Sequence, residues 1–216
     1  MAYVEDAMPG CVITAGATRN PLDAIRFLSA RASGQTGISI AQNLYGRSLR
    51  VHLLGSREAL LRAGDTPVGL EEYGSTRDLM DRLRAQVEAD PSCGVVHSAA
   101  VGDYEADPSR EKIPSGRAAL TLTLRPTPKI LDAIRSWGLT GPLVSFKAAS
   151  PQTTDEALVA IARAQLRRTG SDRVFANVIG RTGTDVFLVD EAKAVRFEVR
   201  NTAIAALQDW LYARLA

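Results

Sequence analysis

The segment RFLSARASGQTG, residues 26–37, concentrates positive charge and bare backbone just before an apolar helical pattern. Free backbone N–H groups at a helix start, together with the helix dipole, favour anions. Arginine adds a planar fork of donors that fits phosphate or carboxylate. The segment therefore predicts a phosphate site, although solvated arginines on an ordinary glycine-rich turn are the competing interpretation. The candidate members are Ser33, Gly34 and Gly37, with Arg19, Arg26 and Arg31 as further donors.

The surrounding elements must place this segment at the edge of a sheet. The apolar run CVITA, residues 11–15, is typical of a buried parallel strand, and strand and helix patterns alternate after it. Further strands are predicted over 49–55, 68–74, 93–104 (running into a turn), 119–126, 142–148, 173–179, 185–190 and 194–200. Helices are predicted over 37–46, 75–89, 128–138, 153–168 and 201–215.

This alternation favours an α/β fold: a three-layer, Rossmann-like, doubly wound and mostly parallel sheet with helices on both faces. The two closing strands predict an added β-hairpin at one edge. No repeat, low-complexity tract or linker interrupts the chain, so residues 1–216 are expected to form a single domain. Ligands bind such sheets beyond the carboxyl ends of the strands, which is where residues 16–37 follow the first strand.

Composition narrows the class of protein. Apolar residues make up 45% and charged residues 23%, and the net charge of +2 is too small to predict nucleic-acid or membrane binding. Cys11 and Cys93 lie in or beside apolar runs and are expected in the core rather than in a disulfide or zinc site. His52 and His97 are expected to be core or strand-end residues. The first ten residues lack an apolar signal core, so a cytoplasmic protein is expected.

Two common nucleotide fingerprints are absent from the sequence. The first strand is followed by Gly16-Ala17-Thr18-Arg19 rather than G-x-G-x-x-G, and no acidic residue closes the second strand. The Walker pattern is missing as well. These observations disfavour an NAD(P)-dependent reductase and leave open which phosphate-bearing ligand would bind.

Five segments, in order along the chain, resemble the signature segments of the phosphopantothenate–cysteine ligase family. The first is ITAGATRNPLDAIRFLSARASGQTG at residues 13–37. The others are HSAAVGDYEADPSREKI at 97–113, TPKIL at 127–131, VSFKAAS at 144–150 and DRVFAN at 172–177. The short spacing and the TPKIL and FK variants are most similar to monofunctional members. The flavin-binding decarboxylase half of bifunctional members is therefore not expected.

The resemblance implies a reaction on the route to coenzyme A. The small-molecule substrates would be 4′-phosphopantothenate, cysteine and a nucleoside triphosphate, CTP in bacterial members and ATP in eukaryotic ones. An acyl-nucleotide intermediate forms as pyrophosphate leaves, and the cysteine amine then attacks the acyl group. Mg²⁺ would be held mainly by the phosphates, so no protein metal ligands are expected. A homodimer is also implied.

The resemblance also implies roles for individual residues. Lys112, with Arg26, would be catalytic, because a cation near the triphosphate stabilises the charge that builds in the transition state. Nucleotide binding is implied for Gly16, Thr18, Ser33, Gly34, Gly37, Ser98, Ala99, Asp103, Lys112, Pro128, Lys129, Phe146 and Arg168. Substrate binding is implied for Arg19, Arg31 and Asn177. The competing interpretations make Asp103 a turn cap, Lys112 a solvated lysine and Phe146 a core residue.

Four positions depart from the family pattern around the implied pocket. Ala30 stands where the family has an asparagine expected to hold the acyl-nucleotide, and Gln35 replaces a lysine. Ala164 stands at the first of two basic helix positions, and Val178 ends the A-N-D motif. These changes leave two alternatives to the ligase: a paralogue that acts on another acid or amine, and a nucleotide-binding protein without catalysis.

Overall fold

A computed structural model of the chain describes residues 10–116 and 118–216. The predicted absence of a signal core concerns residues 1–10 and falls, apart from Gly10, outside the described part. The strands are β1 (Gly10–Ala15), β2 (Arg19–Pro21), β3 (Phe27–Ser29), β4 (Arg50–Gly55), β5 (Gly69–Glu72), β6 (Gly94–His97), β7 (Tyr104–Ala106), β8 (Leu124–Pro126), β9 (Leu143–Ala149), β10 (Arg173–Val178), β11 (Val186–Val189) and β12 (Ala194–Phe197). The helices are α1 (Gln35–Gly46), α2 (Arg57–Ala63), α3 (Thr76–Ala89), α4 (Ile130–Ala133), α5 (Asp155–Thr169) and α6 (Arg200–Leu215), and a 3₁₀ turn covers Ile134–Trp137.

Eight strands form one sheet in the order β12-β11-β10-β9-β6-β1-β4-β5. The six strands from β10 to β5 are parallel, and β11 and β12 add an antiparallel hairpin at the β10 edge. The doubly wound sheet with an added hairpin predicted from the sequence is therefore confirmed. Two short antiparallel ribbons, β2–β3 and β7–β8, lie outside it.

The alternation of side chains along each strand divides the core between two faces. Phe175 packs with α1, α2 and α6, whereas its neighbours Val174 and Ala176 pack against α5. Helices α3 and α4 cover the rest of the second face, against residues such as Val12 and Val95. Both cysteines are buried in this core, as predicted, and burial raises the pKa of the Cys93 thiol to about 12.

Local sequence signals set most helix starts. Ser75 and Thr154 cap α3 and α5, because each side-chain oxygen accepts a hydrogen bond from a backbone N–H in the first turn. Ser56 caps α2 in the same way, a short helix that the sequence pattern did not predict. No helix in the described part of the chain is long and apolar enough to cross a membrane.

Two predicted elements are wrong in extent. The predicted strand 119–126 is reduced to Leu124–Pro126, which pairs only with Tyr104–Ala106. Its alternating leucines stay exposed, so no sheet face buries them. The predicted helix 128–138 is one α-helical turn followed by a 3₁₀ turn, ended by Gly138 in the left-handed conformation.

Candidate active site

Two adjoining clefts open at the carboxyl ends of the parallel strands. The larger cleft, of about 490 Å³, is lined by residues after β6, by the segment 127–132 and by α5. The second, of about 380 Å³, lies at the start of α1 and is called here the glycine-loop cleft. Both clefts share Ala99, Phe146, Lys147 and Ala148 as one wall. This is the edge at which doubly wound sheets bind ligands.

Close backbone packing explains the glycines at the start of α1. Gly16 and Gly34 have φ values of +93° and +77°, which side chains on L-residues rarely allow. A Cβ on Gly37 would lie 2.8 Å from the Cβ of Ala15 and 2.7 Å from Oγ of Ser98. The loop therefore brings the first turn of α1 directly against the end of β1, and the residues of that turn line the glycine-loop cleft.

A buried hydrogen-bond network fixes the wall beneath both clefts. Thr14 Oγ1 lies 3.1 Å from Nδ1 of His97 and accepts the backbone N–H of Ala99 at 3.1 Å. Ser98 Oγ donates to the carbonyl oxygen of Thr14 at 2.6 Å. Thr18 Oγ1 accepts the N–H of Gly102 at 2.8 Å, and the Thr18 side chain is fully buried. Thr18 thus braces the turn after β6 and does not line either cleft.

Burial of His97 makes protein stability depend on pH. Burial lowers the pKa of His97 from 6.5 to about 4, so the native state keeps a neutral ring where the unfolded chain takes up a proton. We expect the free energy of unfolding to fall by about 2 kcal/mol from pH 7 to pH 5 for this reason. Denaturant unfolding at both pH values checks this, with His97→Asn as the comparison. A variant with the same pH slope as the wild type would contradict it.

The larger cleft combines an aromatic face with paired charges. Phe146 stacks on Phe175 with ring centroids 4.9 Å apart, and Gln165 donates to the carbonyl oxygen of Phe146 at 3.2 Å. Lys129 pairs with Asp103, and Arg168 pairs with Asp132. Six predicted nucleotide-binding residues line this cleft together: Ala99, Asp103, Pro128, Lys129, Phe146 and Arg168.

The glycine-loop cleft carries a different charge pattern. Its lining has three cationic side chains, those of Arg31, Lys147 and Arg200, and no aspartate or glutamate among the described residues. The other predicted residues that line it are Gly16, Ser33, Gly34, Gly37, Ser98, Ala99, Phe146 and Asn177. A basic cleft at a helix N-terminus can bind a polyanion through backbone N–H groups and side-chain cations.

Three predicted residues besides Thr18 lie away from both clefts. Arg19 pairs with Glu58 and stacks over Phe27. Arg26 donates to Asp23 at 3.0 Å and to the carbonyl oxygen of Ile113 at 3.2 Å. Lys112 is exposed on the loop beside Ile113.

Arg26 therefore contacts the loop that carries Lys112. Buried Asp23 accepts the backbone N–H groups of Ile25, Arg26 and Ile113, and these bonds, that of Ile25 first, hold the pKa of its carboxyl below the ordinary value. The contact fixes the residue that directly follows Lys112.

The structure adds two cations that the sequence did not single out. Lys147 lies in the FKAA segment of the fourth match, yet only its neighbour Phe146 was selected. Arg200 starts α6 and donates to Thr36, which lies 164 residues earlier in the chain. Nothing local in the sequence announces such a contact, because it arises only when α6 packs beside α1.

The positions that depart from the family pattern differ in placement. Gln35 lines the glycine-loop cleft, whereas Ala30 and Ala164 are exposed. Val178 is buried at the end of β10, where it packs in the core beside α5. An apolar core residue, Val178, therefore occupies the position at which the family pattern has an acidic residue.

Comparison with known proteins supplies the family. The family model described as the DNA/pantothenate metabolism flavoprotein C-terminal domain matches residues 9–209. This chain belongs to that family. The phosphopantothenate–cysteine ligase resemblance predicted from five sequence segments is thereby confirmed.

Two curated relatives are "Coenzyme A biosynthesis bifunctional protein CoaBC" from different organisms. The protein of Thermococcus kodakarensis is 31% identical over 175 residues, covering 81% of this chain and 42% of the relative. The Mycobacterium tuberculosis protein is 31% identical over 180 residues, covering 78% of this chain and 41% of the relative. The chain thus spans less than half the length of these relatives.

Solved structures share the fold. The DNA/pantothenate metabolism flavoprotein of Streptococcus pneumoniae superposes with a TM-score of 0.85 at 24% identity, covering 96% of this chain and 99% of that one. Cab2 mutant H337A, in complex with phosphopantothenate-cysteine, gives a TM-score of 0.75 at 19% identity, covering 95% and 88%. The agreement extends over almost the whole described chain and supports the fold assignment.

Proposed function

We propose that this chain forms a single ligase domain that joins 4′-phosphopantothenate to cysteine at the expense of a nucleoside triphosphate. Family membership supports the reaction class. The observation that carries the proposal is the pair of adjoining clefts with unlike chemistry and one shared wall. One cleft offers an aromatic face and paired charges for base and ribose. The other offers three cations that make no ion pair with the described residues, and a helix N-terminus, for phosphates.

The reaction proceeds in two displacements at the shared wall. A carboxylate oxygen of phosphopantothenate attacks the α-phosphorus, and the bond from that phosphorus to its bridging oxygen breaks, releasing pyrophosphate. The amine of cysteine then attacks the acyl carbon. The acyl C–O bond breaks, the nucleoside monophosphate leaves, and the nitrogen loses its proton. Lys147 lies on this wall and is the cation positioned to stabilise charge on the transferring groups.

Mg²⁺ fits this arrangement through the phosphates rather than through a protein cage. The glycine-loop cleft has no acidic lining residue among those described, and both acids of the larger cleft pair with cations. Phosphate oxygens are suitable ligands for a hard cation that keeps several waters. Lys112 stays a proposed catalytic residue, delivered by its loop and positioned by Arg26. The choice between CTP and ATP, and the cytoplasmic location, stay predictions.

A homodimer is the proposed assembly. Leu120, Leu122 and Leu124, at alternate positions before and within β8, expose 46%, 40% and 42% of their surface. Exposed leucines this close together in the chain offer an apolar surface that a second copy can cover. The solution mass, measured by sedimentation equilibrium, distinguishes a dimer of about twice 23.2 kDa from a monomer.

A paralogue that uses the same chemistry on another substrate is the second candidate. Ala30 favours it, because alanine cannot replace the side-chain hydrogen bonds of the asparagine that the family has there. Losing one such bond in the transition state typically slows the reaction about 10²- to 10³-fold. Restoring asparagine at this position raises the ligation rate if the substrates are the proposed ones.

Pyrophosphate release tests the proposal. The protein is incubated with Mg²⁺, 4′-phosphopantothenate and either CTP or ATP, with and without cysteine. Cysteine-dependent release with one nucleotide supports the ligase and identifies the base. Release without amide product points to another amine. No release with either nucleotide, despite nucleotide binding, contradicts the phosphopantothenate assignment.

A further inference from the structure

Arg200 is a half-buried cation that faces the glycine-loop cleft. Its guanidinium carbon lies 4.8 Å from the ring centroid of Phe175. It donates from Nη1 to the carbonyl oxygen of Thr182 and from Nη2 to Thr36 Oγ1, both at 3.1 Å. These contacts hold the group between β10 and the first turn of α1. The packing of these two elements therefore determines where the guanidinium lies.

No carboxylate in the described part of the chain pairs with Arg200. The acids of the adjoining segments, Asp155 and Asp185, pair instead with Arg181 and Arg196. Burial lowers the pKa of Arg200, but a guanidinium does not lose its proton in proteins. A half-buried cation without a counter-ion is unfavourable, and a bound anion would remove that cost.

The guanidinium also has donors left over. Of its five N–H groups, Nη1 uses two, toward Thr182 and, at 3.5 Å, toward Asn177, and Nη2 uses one. The Nε N–H and one Nη2 N–H have no acceptor among the described residues. Two such donors on one planar guanidinium can bind two phosphate oxygens at once.

The charge around Arg200 indicates a polyanion. Arg31 and Lys147 line the same cleft, and the N-terminus of α1 adds partial positive charge. No acid balances the three side chains within the described lining. A diphosphate group matches this charge better than a carboxylate or one phosphate monoester. The larger cleft, across the shared wall, is where the proposed function places base and ribose.

We propose that Arg200 binds the β- and γ-phosphates of the nucleotide and then the pyrophosphate that leaves, an inference that rests on the proposed function. When the bond between the α-phosphorus and the bridging oxygen breaks, its electron pair moves to the pyrophosphate. The guanidinium neutralises that growing charge. Arg200 is thereby assigned to the first displacement and not to recognition of the acid substrate.

Binding of Mg²⁺-pyrophosphate, measured by calorimetry on the full chain, tests the assignment. Arg200→Gln is expected to weaken binding about 10- to 100-fold, because charge-assisted hydrogen bonds are lost. Arg200→Lys keeps the charge but loses the planar set of donors, so its affinity for pyrophosphate should lie between those of the wild type and of Arg200→Gln. In steady state, KM for the nucleotide should rise similarly, while KM for phosphopantothenate changes less than threefold. Arg47→Gln is the matched control, since Arg47 also stacks on an aromatic ring, Tyr212, away from both clefts.

Three outcomes overturn the inference: wild-type protein that does not bind pyrophosphate, unchanged affinity in both Arg200 variants, or a loss confined to phosphopantothenate. If Arg200→Gln fails to fold by circular dichroism, Arg200→Lys carries the same comparison. Wild-type protein that binds pyrophosphate through Arg200 but forms no amide would contradict the proposed function and leave this inference standing.

Discussion

Replacing Lys147 by methionine is expected to lower kcat about 10²- to 10³-fold while leaving the fold intact. Lys147 lies on the wall shared by both clefts, and its ammonium group makes no ion pair with the described residues. A cation placed where charge develops is worth several kcal/mol in a site that excludes water. Methionine keeps the length and the apolar stem of lysine, so the change removes chiefly the charge.

Another lysine of the chain supplies the control for this experiment. The chain has four lysines, and Lys193 is exposed in the turn between β11 and β12, away from the clefts. Lys193→Met should change kcat by less than twofold. Stopped-flow measurement of pyrophosphate release separates the first displacement from amide formation. A Lys147→Met enzyme that keeps at least one third of wild-type kcat would remove Lys147 from the mechanism.

Replacing Gly37 by alanine is expected to abolish nucleotide binding at ordinary concentrations and to destabilise the protein. The added Cβ would lie 2.8 Å from Ala15 Cβ and 3.1 Å from the carbonyl oxygen of Thr14, so α1 must move away from β1. That movement displaces the N–H groups at the start of α1 from the cleft. Overpacking of this kind lowers the free energy of unfolding by about 1–3 kcal/mol. Denaturant unfolding and nucleotide titration measure both effects.

The same helix contains a matched glycine. Gly46 ends α1, and a Cβ there would meet nothing within 4 Å. Gly46→Ala should leave nucleotide binding unchanged and shift stability by no more than about 1 kcal/mol, because only helix propensity changes. Equal losses in the two variants would show that helix chemistry rather than the close approach of α1 to β1 determines binding.

Sequence patterns predicted the sheet because buried parallel strands appear in a sequence as continuous runs of apolar residues. Val174, Phe175 and Ala176 all belong to such a run, and each is buried. The same runs indicate where the strands end, whereas Phe146 and Ala99 were predicted as nucleotide-binding residues from the family resemblance, and both lie in the wall shared by the two clefts. The extent of the 119–126 strand was wrong, because alternating leucines indicate a strand but not whether a sheet will receive it.

The site was predicted less completely for a physical reason. Residues that enter a cleft from strand ends were found, whereas Arg200 depends on how α6 packs beside α1. Arg26 was predicted to be catalytic from the family resemblance. In the structure, buried Asp23 accepts hydrogen bonds from Arg26 and from Ile113 in the loop that carries Lys112, and the catalytic role of Arg26 stays a prediction. A side chain's partner is set by tertiary contacts that spacing alone does not contain.

Mass spectrometry of the reaction product tests the central claim most directly. The full chain is incubated with Mg²⁺, the nucleotide it prefers, 4′-phosphopantothenate and ¹⁵N-labelled cysteine. The proposed ligase reaction predicts one ¹⁵N-containing amide of phosphopantothenate and cysteine, and one nucleoside monophosphate, for each pyrophosphate released. Pyrophosphate and nucleoside monophosphate without the labelled amide, or no turnover of bound nucleotide, would contradict it.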